Sequence, residues 1–434
     1  MRIGIIAAGA AGMYCGSCLR DNALSVALQE LGHDVTFIPT YTPLRLDEES
    51  VEHEPVFLNG IQVYLEDAMA PARRRGGWLR RVVGSSLFLK WISKLAVDNE
   101  PSKLGKLTVS MLQGAGGNLR ASVDELIEWM ENHYELDVVH LSNVLLSGLA
   151  PSIKKRLRLP VTCGLTGEDQ FLQGLPEPHA SEALQLLREN SDFIDRFIAP
   201  SRTYGEYMAD WIGLDEDRVA TVLPGISTRD YEPLQRQRRD GPLTVGFFAR
   251  IAPEKGVHLL SWAFGVLARE FPELQLRIAG YLSGRSVGYA AAIRRELAAA
   301  GLADRVQLLG TLDRQQKIAF LKELDVFAMP SMHPESKALP VIEALAAGVP
   351  VVVPDSGSLP ELIDSTGGGL LHESRSVEHL TEALRELLYD HDRRHEMGQR
   401  GREAVFDRFT ARRMAEETAK VYRAVVESFG KASP

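Results

Sequence analysis

The feature that most constrains this chain is a grammar repeated twice: short apolar runs alternating with amphipathic helical segments. In the first half the runs occupy residues 2–8, 34–39, 137–141, 160–163 and 193–200. Helical patterns lie between them, as at residues 17–31 and 203–212. The pattern breaks at residues 227–242, which hold two prolines, an Arg/Gln run and Asp240-Gly241. It then restarts with runs at 243–249, 274–279, 306–309, 325–329 and 351–353. Apolar runs bounded by turns and spaced by helices predict parallel strands covered by helices. Two such series predict an α/β chain of two Rossmann-like, doubly wound domains. The expected division is an N-terminal domain at 1–226, a connector at 227–242, a C-terminal domain at 243–410, and a helix and tail at 411–434. Sheets of this kind bind ligands at the carboxyl ends of their strands, so two facing edges are expected to enclose an interdomain cleft.

A length of 434 residues suits two to three domains. No run of about 18 apolar residues appears, and the opening Met1-Arg2-Ile3-Gly4-Ile5-Ile6 reads as a buried strand rather than a leader. Three cysteines are no disulfide framework, and a reducing cytoplasm is expected. The net charge of −9 argues against a nucleic-acid partner.

The strongest chemical signal follows the run at 325–329. Pro330-Ser331-Met332-His333-Pro334-Glu335-Ser336-Lys337-Ala338-Leu339-Pro340 leads into Val341-Ile342-Glu343-Ala344-Leu345-Ala346-Ala347-Gly348-Val349-Pro350. Pro340 is expected at the first position of a helix, where its missing N–H costs nothing, and Gly348 and Pro350 end that helix. Glu335 then lies in the loop after a strand and Glu343 in the first helical turns. Amides around Ala338 and Leu339 can cradle a phosphate, and Glu343 can accept two hydroxyls, as from a ribose diol. An isolated pair of glutamates would answer only the helix dipole and solvent. Here a second loop changes the balance. Ala249-Arg250-Ile251-Ala252-Pro253-Glu254-Lys255-Gly256 follows a buried strand and places two cations, Arg250 and Lys255, at its carboxyl end, a pattern that suits a diphosphate.

Together these motifs resemble glycosyltransferase family 4. The likeness extends to Gly32-His33-Asp34-Val35, Ile198-Ala199-Pro200-Ser201, Val222-Leu223-Pro224-Gly225-Ile226 and Leu359-Pro360-Glu361-Leu362-Ile363. The resemblance implies the GT-B fold, with a C-terminal helix that crosses back to the N-terminal domain. It implies a retaining transfer from a nucleotide-diphosphate sugar without a metal or other cofactor. Arg250 and Lys255 would bind the diphosphate, Glu335 would approach the donor sugar and Glu343 would hold the ribose. It leaves open whether Glu335 forms a covalent intermediate. Three departures stand out: Lys337-Ala338 where relatives often carry Phe-Gly or Lys-Gly, Ala249 for a common glycine, and Thr166 where many relatives place a histidine. Either Thr166, Glu168 or Asp169 would then supply a substitute contact to the donor sugar, or the sugar lacks the primary hydroxyl that the histidine meets.

The resemblance assigns the acceptor to the N-terminal domain. The Gly-rich turn after the first strand makes Gly12 and Gly16 cleft candidates. Arg20 and Asp21 on the following helix are candidates for acceptor contact, with a surface ion pair as the alternative. Cys15-Gly16-Ser17-Cys18 also has the spacing of a thiol-redox motif, with Cys163 as third cysteine, although small buried residues more often act as filler. Residues 71–94 are basic and aromatic, with Arg73-Arg74-Arg75, Trp78, Arg80-Arg81, Lys90, Trp91 and Lys94 and no acid. That composition suits either an interfacial surface on anionic lipid, at the inner face of the membrane, or a packed solvated helix pair. The acceptor class, whether lipid-linked, saccharide or small molecule, is not disclosed. A nucleotide-sugar epimerase of the same architecture and a sugar-nucleotide-binding or thiol-redox regulatory protein are the alternatives.

Overall fold

The computed structural model describes residues 1–8, 16–40, 101–232 and 241–432. Gly12, Cys15, the basic segment 71–94 and half of the connector, residues 233–240, lie outside them. The described chain divides into two compact units: Met1–Leu223 with Met414–Pro434, and Pro224–Arg413.

The first unit holds strands β1 (Arg2–Ala7), β2 (Asp34–Pro39), β3 (Val138–Leu141), β4 (Val161–Gly164), β5 (Arg196–Ala199) and β6 (Val219–Thr221). They form one sheet in the order β2-β1-β3-β4-β5-β6, and every pairing is parallel. Helices α1 (Gly16–Glu30), α2 (Pro101–Gln113), α3 (Arg120–His133), α4 (Asp169–Gln173), α5 (His179–Ser191) and α6 (Arg202–Ile212) supply the crossovers among the described residues. Strands covered on both faces must be apolar throughout. Ile3, Ile5, Ile6, Val138, Val139, Leu141, Val161 and Phe197 are accordingly all fully buried. Helix α6 shows how sequence sets its own limits. Ser201 caps its start by accepting from the Tyr204 amide, and Gly213, at φ 85°, ends it in the left-handed conformation.

The second unit repeats the plan. Strands β7 (Thr244–Phe248), β8 (Gln275–Ala279), β9 (Val306–Gly310), β10 (Val326–Ala328), β11 (Val351–Pro354) and β12 (Gly369–His372) form a parallel sheet in the order β12-β11-β10-β7-β8-β9. Helices α7 (Val257–Glu270), α8 (Val287–Ala299), α9 (Arg314–Lys322), α10 (Leu339–Ala346), α11 (Leu359–Thr366), α12 (Val377–Tyr389) and α13 (His391–Arg408) complete it. The last helix, α14 (Ala411–Ala432), carries Met414, Thr418 and Tyr422 into the core of the first unit, where the Tyr422 ring lies 5.6 Å from that of His140.

From β7 the strand order runs outward to β8 and β9 in one direction. From β10 it runs to β11 and β12 in the other. The reversal between β7 and β10 is the topological switch point, where adjacent crossovers leave on opposite faces and open a crevice at the carboxyl edge. The loops carrying Arg250, Lys255 and Glu335 leave from these two strands. Two strands, β6 and β12, go beyond the ten expected from the sequence. Helix α10 starts at Leu339, so Pro340 holds its second position instead of its first; the helix ends at Ala346 with Ala347 as its cap, and Gly348, at φ 72°, turns the chain away as expected.

Candidate active site

After β7 the chain turns through a short 3-10 segment, Pro253–Lys255, and Gly256 reverses it at φ 73°. A side chain at Gly256 would place its Cβ 1.9 Å from the Pro330 carbonyl oxygen, so only glycine lets the two loops approach. The Met332 amide donates to the Glu254 carbonyl at 2.8 Å and fastens the β10 loop to the β7 loop. On its other side Glu335 forms an isolated bridge with Gly357, and both the amide and the hydroxyl of Ser358 donate to the Glu335 carbonyl at 2.8 Å. Gly357, at φ 66°, would also clash with the Glu335 backbone if it bore a side chain. Glu335 is therefore held by loops from three adjacent strands.

Its carboxylate is equally constrained. Lys255 Nζ lies 2.5 Å from Glu335 Oε1, and the Ser331 hydroxyl donates to the same oxygen at 2.6 Å. Burial alone would raise the Glu335 pKa, but the Lys255 ammonium and the Ser331 hydroxyl outweigh it and hold the carboxyl below its ordinary value. Glu335 is thus an anion at neutral pH. Arg250 shares the Lys255 loop, and its guanidinium meets Glu254 at 2.5 Å while the side chain stays 53% exposed. Glu343, on α10, pairs with Lys317 on α9 at 2.5 Å. Ala338 precedes α10 in the left-handed conformation at φ 51°, ψ 33°, and is buried. The amides of the first helical turn have no partner within the helix, so those at Ala338 and Leu339 suit an anion.

In the first unit, Gly16 opens α1 and is exposed. The Ser17 hydroxyl reaches Thr166 Oγ1 at 3.4 Å, which joins the α1 start to the loop after β4. Thr166, Glu168 and Asp169 are all buried. The Thr166 amide donates to Glu168 Oε2 at 2.8 Å, and the Thr166 hydroxyl donates to Oε1. Asp169 accepts from the Tyr204 hydroxyl at 2.6 Å. These three residues shape their loop through bonds to one another and to Tyr204.

Arg20 and Asp21 require a correction. They are 7% and 1% exposed, so the surface ion pair considered from sequence is excluded. Arg20 Nε and Nη2 both donate to Asp21 Oδ1, at 2.9 and 2.5 Å. The pair lies under Ser142 and Gly164, beside a small cavity lined also by His140, Met414 and Thr418. Cys18 and Cys163 are both buried. Burial raises the Cys163 pKa well above its usual range, so that thiol is not a nucleophile at neutral pH. Among the described residues no helix is long and apolar enough to cross a membrane. No group of three or more His, Cys, Asp or Glu among them is placed to hold a metal ion.

Sequence reasoning missed Lys317, Ser331 and Glu254. The signal for Lys317 was the inward stripe of α9, where Lys317, Phe320 and Leu321 are its buried residues. A lysine at such a position needs a carboxylate partner.

Residues 229–404 match the glycosyl transferases group 1 family, and residues 106–230 match glycosyltransferase family 4. The chain belongs to glycosyltransferase family 4. A D-inositol 3-phosphate glycosyltransferase of Nocardia farcinica is 31% identical over 236 residues, which cover 52% of this chain and 51% of that one. A GDP-mannose-dependent alpha-(1-6)-phosphatidylinositol monomannoside mannosyltransferase of Mycobacterium tuberculosis is 33% identical over 196 residues, 42% of this chain and 50% of that one. The chain thus spans about half the length of these relatives. Among solved structures, sucrose-phosphate synthase of Thermosynechococcus elongatus superposes with a TM-score of 0.72 at 18% identity, covering 99% of this chain and 100% of that one. HepE of Anabaena, solved in complex with UDP, gives 0.68 at 17% identity, covering 98% of this chain and 100% of that one. These likenesses establish the GT-B fold of this family 4 member.

Proposed function

We propose that this protein is a metal-independent, retaining glycosyltransferase that moves a sugar from a nucleotide-diphosphate donor to an acceptor hydroxyl. The observation that carries the reading is the meeting of Lys255, Ser331 and Glu335 at the β7/β10 switch point, with Arg250 on the same loop as Lys255. A sugar–phosphate bond breaks with negative charge building on the diphosphate. Arg250, Lys255 and the first amides of α10 supply fixed positive charge where a divalent ion would otherwise act. Ionised Glu335 is suited to stabilise positive charge that develops on the sugar ring. Its Oε1 already accepts two hydrogen bonds, which leaves Oε2 for the donor. In same-face attack the acceptor oxygen bonds to the anomeric carbon as the diphosphate departs. The departing phosphate oxygen takes the acceptor's proton. Glu343 is placed to accept hydroxyls of the nucleotide ribose.

For the acceptor, the matched relatives are named for inositol phosphate and phosphatidylinositol substrates. A cyclitol phosphate, free or lipid-linked, is therefore the first class to test. The test incubates the protein with uridine, guanosine and adenosine diphosphate sugars and candidate acceptors in the presence of a chelator. Release of nucleoside diphosphate and a product with the donor's anomeric configuration support the reading. A product of inverted configuration, or activity abolished by the chelator, contradicts it.

A further inference from the structure

We infer that Lys317 is a positioning residue for nucleotide recognition, fixing the Glu343 carboxylate so that it can grip a ribose diol. The inference rests on the proposed role of Glu343 and adds a second residue to it. Lys317 sits one turn into α9, whose start is fixed by a reciprocal cap between Asp313 and Gln316. Its side chain is only 3% exposed, while that of Glu343 is 12% exposed. The accessible edge of this pair belongs to the carboxylate. Lys317 Nζ lies 2.5 Å from Glu343 Oε1 and 5.8 Å from the Phe248 ring centroid, at the end of β7. The ammonium thus holds one carboxylate oxygen from the protein side.

Stability alone is a poor reason for this arrangement. Replacing a buried ion pair by packed apolar side chains is often neutral or favourable. Lys317 shares the inward face of α9 with Phe320 and Leu321, a setting in which an apolar residue would pack without a partner. What the lysine adds is direction. A glutamate with free rotation must be ordered on binding, whereas one held by a buried ammonium is preorganised. The ribose hydroxyls are both donors, and a carboxylate with a fixed plane can receive them as a pair.

The test compares uridine and guanosine diphosphate with their 2′,3′-dideoxy counterparts by calorimetric titration of the full chain. The substitutions are Lys317→Met, which keeps length and loses charge, and Lys317→Arg, which keeps charge. Lys317→Met is expected to raise the Kd of the ribonucleotide roughly tenfold and that of the dideoxy form less than about twofold. Lys317→Arg is expected to restore most of the difference. Equal weakening of both ligands, or no change in either, overturns the inference. Where Lys317→Met fails to fold, Lys317→Gln carries the same comparison. If no nucleotide binds the native protein, or Arg250→Ala binds as well as native, the donor-site reading itself fails. If native binding depends on Arg250 and ribose discrimination survives Lys317→Met, only the role of Lys317 fails.

Discussion

Ala338 carries a methyl group in a backbone conformation that usually belongs to glycine. An L-residue held there stores roughly 1 kcal/mol of strain. Ala338→Gly is therefore expected to stabilise the second unit by up to that amount, read as a rise of about 2–4 °C in Tm. An unchanged or lower Tm would show that Ala338 is relaxed in this turn. Glu335 gives a pH prediction. Its pKa is lowered in the folded chain, so its ionised form contributes stability that is complete above its unfolded value near 4.5. That contribution is lost as pH falls through the lower folded value. The stability gap between native protein and Glu335→Gln should therefore narrow on acidification below pH ~4.5, as followed by denaturant titration. A gap independent of pH would mean that the Lys255 pairing does not set the ionisation. At this scale the sequence singled out Arg250, Lys255, Glu335 and Glu343 as candidates, because a strand-loop-helix context surrounds each. For Lys317 it offered only a place on the inward stripe of α9, without the partner, and for Ser331 no signal. Their importance comes from partners 26 residues away for Lys317 and from the orientation of a hydroxyl for Ser331.

At the scale of elements, two loops from neighbouring strands are pressed together around glycines. Gly256→Ala would force a left-handed alanine against the Pro330 carbonyl. A cost of about 3 kcal/mol is expected, with loss of nucleotide binding at temperatures where the chain is still folded. Native-like binding by this variant would show that the loops can separate freely. The buried Arg20–Asp21 pair gives a second case. Arg20→Ala leaves the Asp21 carboxylate without its guanidinium, and about 3–5 kcal/mol of destabilisation is expected in urea unfolding. A change under about 1 kcal/mol would place the pair in solvent-like surroundings. Ten of the twelve described strands were legible from apolar runs. The two that were not have physical reasons. Strand β6 has three residues, none of them buried, at the edge of its sheet. Strand β12 starts within Gly367-Gly368-Gly369, which reads as a turn, and only its last residue is buried. Helix α10 starts one residue earlier than proline preference suggested because left-handed Ala338 turns the chain before Leu339.

At the scale of the whole molecule, a chain of net charge −9 is proposed to attract a doubly charged diphosphate. The apparent conflict resolves locally. Arg250 and Lys255 stand at the carboxyl edge of a parallel sheet, and short-range hydrogen bonds to phosphate outweigh a net charge screened over about 8–10 Å of salt solution. Two doubly wound units were legible because the alternation of strand and helix occurs twice. Strand order was not, because it depends on which neighbours pair, and that order identifies the β7/β10 switch point. The central claim is that this edge binds the diphosphate of a sugar nucleotide. Titration calorimetry of the nucleotide-diphosphate sugars against native protein, Arg250→Ala and Lys255→Ala tests it most directly. At least one donor should bind the native chain with micromolar Kd, weakened roughly 10- to 100-fold by either substitution. Binding of equal strength in all three proteins, with the fold intact, would contradict the account.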